Sequence, residues 1–84
     1  MTTLGYDQIY SQIVTLLEDH APRKVPISAA TELVNDLGFD SLRVMEMLHD
    51  VEDTFDITYP LNRLSELRTV KDFAMQIQGI IETS

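Results

Sequence analysis

The chain has no cysteine, and that absence removes three chemistries together: a disulfide framework, a thiolate zinc site and a thiol nucleophile. It is also poor in positive charge. Six Lys and Arg stand against 14 Asp and Glu, a net charge of −8, the wrong sign for a chain that must neutralise nucleic-acid phosphates. No apolar run approaches the roughly 18 residues that span a bilayer. The opening residues, Met1 to Asp7, have neither the basic nor the apolar region of a signal peptide. The expectation is a soluble, cytoplasmic protein with no membrane span and no nucleic-acid partner. Common catalytic motifs are missing as well. There is no GxSxG elbow, Walker loop, dinucleotide fingerprint or HExxH pair, and Asp36 to Asp40 offers too few oxygens for a calcium loop.

What is present is ordinary globular material: 84 residues, 44% hydrophobic and 24% charged, with three Gly and three Pro. A chain this short supports one core, so residues 1–84 are expected to form a single domain held by packing alone. Ile9, Ile13, Leu16 and Leu17 recur at helical spacing opposite Asp7, Gln8, Ser11, Gln12, Thr15 and Glu18. They predict a first helix over 4–19, capped by Thr2 or Thr3 and ended by Ala21-Pro22. Residues 20–40 then form a connection long enough that it must pack or carry function. Its expected anchors are Leu33, Val34 and Leu37 on a helical turn, with Gly38 supplying a left-handed or tight-turn conformation before Phe39-Asp40-Ser41.

From Ser41 to Phe55 there is no Gly or Pro, and Val44, Leu48, Val51 and Phe55 share one narrow stripe, predicting a second helix over 41–55. Pro60 presets a short third helix over 61–66 with Leu61, Leu64 and Leu67 turned inward. Thr69 and Asp72 resemble a capping box for a fourth helix over 70–82, whose stripe is Val70, Phe73, Ala74, Ile77 and Ile81. Ile57-Thr58-Tyr59 is β-prone but too short to argue for a sheet. The fold class is all-α: a four-helix bundle with a short third helix and a long loop between helices one and two.

Among candidate reactive groups, His20 and His49 read most simply as a helix-end residue favoured by the dipole and an exposed helical residue. A Ser41–His49 nucleophile–base pair fails on geometry, because eight helical residues rise about 12 Å where proton transfer needs ~3 Å. Glu46 and Asp50, four apart, read as solvated like charges. Ser41 itself admits two readings. It can be the N-cap of the second helix, or its oxygen can carry a phosphoester, an anion that the positive helix terminus tolerates. The rest of that helix bears on the choice. With Val44 at 0°, Met45, His49, Leu42, Asp53 and Glu46 fall at about 100°, 140°, 160°, 180° and 200°, so two apolar side chains point away from the core. Residues 40–59 hold six acids against Arg43 alone. Leu42 and Met45 are therefore either scattered surface residues or an apolar centre with an acidic rim of Glu46, Glu52 and Asp53, suited to a basic groove.

Asp36-Leu37-Gly38-Phe39-Asp40-Ser41-Leu42, then Glu46-Met47, Val51-Glu52-Asp53-Thr54-Phe55, Pro60 and Thr69-Val70-Lys71-Asp72 resemble the acyl carrier protein family, including peptidyl and other thiotemplate carrier domains. The resemblance covers essentially the whole chain. It implies that a phosphopantetheinyl transferase, using coenzyme A and magnesium, attaches 4′-phosphopantetheine to Ser41, and that the arm's thiol carries an acyl or aminoacyl group as a thioester. It also implies that Asp40, Leu42, Met45, Glu46, His49, Glu52 and Asp53 form the face read by partners, the loading and processing enzymes with basic docking grooves. On this reading the chain is a non-catalytic carrier and a monomer, and its thiol is imported, which suits a chain without cysteine. Arg43 and the segment 61–68, which lacks the acidity common around the third helix, depart from many fatty-acid carriers, and fatty-acid, polyketide and nonribosomal-peptide pathways all stay open. The rival reading is an unmodified helical interaction module using the Leu42/Met45 face.

Overall fold

In a computed structural model describing residues 5–83, four helical elements follow one another without a strand among the described residues: α1 (Tyr6–His20), α2 (Ser41–Phe55), a 3₁₀ segment (Leu61–Glu66) and α3 (Val70–Thr83). The expected caps Thr2 and Thr3 and the expected first residue, 4, lie outside the described residues. Helix α1 starts at Tyr6, with Gly5 as its extended N-cap, and Gln8 Oε1 accepts the Gly5 N–H at 3.1 Å. Ile9, Ile13 and Leu17 are its buried line, one residue per turn. It ends as Pro22 requires: Ala21 is extended (φ −66°, ψ 126°) and its N–H closes the last turn on Leu17 O.

Helix α2 buries Val44, Met47, Leu48 and Val51, and its chain leaves through Asp56 in the left-handed region (φ 55°, ψ 52°), a conformation Asp tolerates better than most residues. Met47, fully buried, widens the stripe beyond the predicted one. The reason is that the helix has neighbours on more than one side, α1 and the connection that carries Tyr59. Helix α3 opens on the expected reciprocal cap. Asp72 N–H donates to Thr69 Oγ1 and Thr69 N–H to Asp72 Oδ2, both at 3.1 Å. Its buried line is Val70, Phe73, Ala74 and Ile77, with Gln76 added. Each fully buried aliphatic or aromatic side chain here contributes about 1.5–3 kcal/mol, and together they form one core under all four elements.

The connection 21–40 packs, as its length requires. Leu33, Leu37 and Phe39 are buried, while Val34, expected as an anchor, is 63% exposed. One helical turn can bury residues four apart, such as Leu33 and Leu37, but Val34 lies about 100° round from Leu33 and faces outward. Gly38 takes the left-handed conformation expected of it (φ 79°), and its N–H returns to Val34 O. The connection also bonds to the start of α3: Leu33 N–H to Arg68 O, Val70 N–H to Thr31 O and Lys71 N–H to Ala29 O, each 3.0 Å, around an isolated antiparallel bridge between Glu32 and Thr69. The 3₁₀ segment meets the core through half-buried Leu64, and Leu67, the residue that ends it, packs there as well. Leu61, expected inward, is 58% exposed because this end of the segment stands beyond the core's edge.

Candidate functional site

Ser41 sits where two of these features converge, at the end of the packed connection and the start of α2. The N-cap is its neighbour. Asp40 is extended (φ −112°, ψ −179°) and its Oδ1 accepts the Arg43 N–H at 2.8 Å, so Ser41 becomes the first helical residue and its hydroxyl has no capping work. The capping reading of Ser41 is thereby corrected: Asp at the preceding position is the better charge for the terminus and wins it. Ser41 is exposed, and its hydroxyl makes no hydrogen bond to any of the described residues. His49 stands two turns along α2, exposed, out of range as its base.

Beside Ser41 opens a pocket of about 430 Å³. Leu33, Val34 and Phe39 line it from the connection, Val44 from α2, Leu64 from the 3₁₀ segment and Leu67 from just beyond it, with Asp40 and Ser41 as its polar members. Sequence spacing did not reveal it, since its walls come from three elements. Phe39 contributes a buried ring to its wall.

The outer face of α2 follows the predicted angles. Leu42 is 68% and Met45 42% exposed, and Glu46, His49 and Asp53 are exposed beside them. Glu52 differs. It is half-buried, at the flank between stripe and outer face, and its Oε2 accepts the Tyr59 N–H at 2.8 Å, so its carboxylate serves the 57–60 segment. Arg43, the lone cation among these acids, directs its guanidinium away, Nη1 lying 3.3 Å from His20 O at the negative end of α1. The His20 Nε2 and Asp50 Oδ2 atoms are 2.6 Å apart and tie the same end of α1 to mid-α2.

The far wall of the pocket is held by a buried polar chain. Tyr59 Oη donates to Gln76 Oε1 at 2.5 Å, and Gln76 Nε2 donates to Arg63 O at 3.2 Å, which pins the 3₁₀ segment to α3. The Tyr59 ring meets Phe73 edge-on, with centroids 6.2 Å apart. Burial pushes the Tyr59 phenol up to about 12, with Glu66 adding to the rise and Arg63 opposing it.

A hydroxyl exposed on a helix start, beside an apolar pocket and without a base, suits a site that is acted upon. Known proteins agree with that class. Residues 11–77 match the family described as the phosphopantetheine attachment site. An acyl carrier protein of Syntrophus aciditrophicus is 38% identical over 66 residues, 79% of either chain. One from Borreliella burgdorferi is 33% identical over 67 residues, 79% of this chain and 84% of its own. A solved structure, described as a candidate acyl carrier protein from Mycobacterium tuberculosis, superposes with a TM-score of 0.75 at 29% identity, covering 82% of this chain and 93% of that one. The chain belongs to the acyl carrier protein family. Its prosthetic group is covalently attached 4′-phosphopantetheine, and its part in metabolism is to carry rather than to catalyse. No helix among the described residues is long and apolar enough to cross a membrane.

Proposed function

We propose that Ser41 is the attachment residue, and that residues 1–84 act as one carrier unit presenting an acyl or aminoacyl thioester to partner enzymes. The observation that carries this reading is the division of labour at the start of α2: Asp40 caps the helix and leaves the Ser41 oxygen exposed and unbonded. The residues present fit the group. The Ser41 oxygen displaces the adenosine 3′,5′-bisphosphate portion of coenzyme A at phosphorus, one P–O bond forming as another breaks, and the hydroxyl proton leaves to the transferase. The resulting phosphodiester stands at the first turn of α2, where the helix dipole favours an anion. When bound, the arm supplies the thiol that this cysteine-free chain lacks.

The chain's own residues do the rest. The apolar walls Val34, Leu64 and Leu67 can cover the root of the arm, while Leu42 and Met45, ringed by Glu46 and Asp53, offer an apolar centre with an acidic rim to a basic groove. Acidic rim charge raises the rate of encounter more than the lifetime of the complex, which suits a donor that must leave each enzyme quickly. Asp40 and Glu52 contribute field at this face while each also holds a backbone N–H. His49 adds a polar contact on the same outer side. Incubation with a broad-specificity phosphopantetheinyl transferase, magnesium and coenzyme A should add one phosphopantetheine by intact mass, and Ser41→Ala should add none. Equal labelling of Ser41→Ala would reject the assignment.

A further inference from the structure

The backbone that leads to Ser41 is braced from outside by one side chain that the carrier reading leaves without a role. Arg23 follows Pro22 at the end of α1, and its N–H donates to Leu37 O at 3.1 Å. Its Nη1 donates to Asn35 O at 3.0 Å and reaches Asp36 O at 3.5 Å. These two carbonyls end the helical turn 33–37 and receive no backbone donor, so they are the orphan acceptors at the turn's negative end. The fit is close. A Cβ built on Gly38 would stand 3.8 Å from the Cβ atoms of Pro22 and Arg23 and 3.9 Å from Arg23 Cζ.

From that turn only Gly38, Phe39 and Asp40 lead to Ser41. Phe39 is locked by its buried ring and by its N–H on Leu33 O at 3.0 Å, and Asp40 by its cap. The Ser41 hydroxyl has no bond of its own, so its position is set by the course of the backbone through 35–40. On its outer side Asp36 and Asn35 bond back to Glu32 within the turn, and Arg23 is the side chain that ties the turn to the residues following α1. A planar guanidinium can serve two adjacent carbonyls from one fixed position, which a lysine ammonium on a free stem does less well.

We propose that Arg23 is a positioning residue for the modification of Ser41: by bridging the Asn35 and Asp36 carbonyls to the end of α1, it holds the 35–40 backbone where the hydroxyl meets the transferase. The inference rests on Ser41 being the attachment residue. Arg23 acts through the backbone, without touching enzyme or coenzyme A. The test is steady-state modification of wild type, Arg23→Met and Arg23→Lys over a range of carrier concentrations, with amide hydrogen exchange on the unmodified proteins. Methionine keeps the aliphatic stem and removes the donors. Losing one charge-assisted bond at an exposed site should lower kcat about fivefold while KM changes less than about twofold. Exchange at the Gly38 and Phe39 amides should quicken, and lysine should recover part of the loss. Unchanged kcat, whatever happens to exchange or thermal stability, overturns the proposal. So does a raised KM that vanishes at high salt with exchange unchanged, because that pattern places Arg23 in direct enzyme contact. Failure of the wild type to be modified would instead remove the attachment reading, and this inference with it.

Discussion

The two connections that wall the pocket, 21–40 before α2 and 56–69 after it, are held by different forces. The first is anchored chiefly by apolar burial: Leu33, Leu37 and Phe39 lie in the core, while its surface carries backbone bonds, the Arg23 brace and short-range side-chain bonds linking Thr31 to Ser28, Asp36 to Glu32 and Asn35 to Glu32. The second buries one large side chain, Tyr59, and depends on a polar chain through Gln76, Arg63 O and Glu52. Beneath Ser41 the anchorage is apolar, with the exposed carboxylates of Asp36 and Asp40 holding the Glu32 and Arg43 N–H groups at the surface. The polar anchorage beneath Leu64 and Leu67 is buried, and it makes the opposite wall depend on the protonation of the Tyr59 phenol.

The sharpest way to break this contrast is Phe39→Ala. Removing a buried ring should cost about 3–5 kcal/mol in urea denaturation, and loss of under 1 kcal/mol would mean the first connection is not core-anchored. Tyr59→Phe should cost less, about 1–2 kcal/mol, because it leaves the Gln76 oxygen buried without its donor while the ring still packs. The same residue gives the second connection an alkaline limit. Its folded-state pKa is raised from 10.0 to about 12, so between these values the unfolded chain holds fewer protons than the folded one and stability falls as pH rises. Tyr59→Phe should show a flatter stability profile over that window, and an identical slope would contradict the burial of the phenol. The smallest effect on stability belongs to the outer face of α2. Glu46→Lys with Asp53→Lys should change unfolding free energy by no more than about 0.5 kcal/mol per site. It should slow association with a basic partner at low salt, and the gap should close as salt rises. Stopped-flow binding at two ionic strengths checks it.

Helix existence was legible because apolar spacing is a local property. Val44, Leu48 and Val51 mark α2, and Thr69 with Asp72 marks the start of α3, through contacts within one or two turns. The outward set on α2 followed from the same angles, except that Glu52, read as part of the rim, is half-buried and bonded to the Tyr59 N–H. Elsewhere local grammar allowed more than one answer. Asp40 and Ser41 can both cap a helix, Leu33 and Val34 can both anchor a turn, and Met47 lies too far round for a narrow stripe. The cap went to Asp40 on local grounds, its carboxylate taking the Arg43 N–H three residues on, whereas Leu33 and Met47 were settled by the elements that pack on them from elsewhere in the chain.

By itself, the order of residues determined four helical elements, an acidic outer face on the second, and a serine at that helix's start, since charge and periodicity need no partner to be read. Tertiary structure decided that Leu33 and Phe39 rather than Val34 anchor the approach to Ser41, that a pocket opens beside its oxygen, and that Arg23 braces the turn behind it. Those outcomes depend on which groups meet across the fold, and a bond between residues far apart in the chain leaves no periodicity from which to infer it.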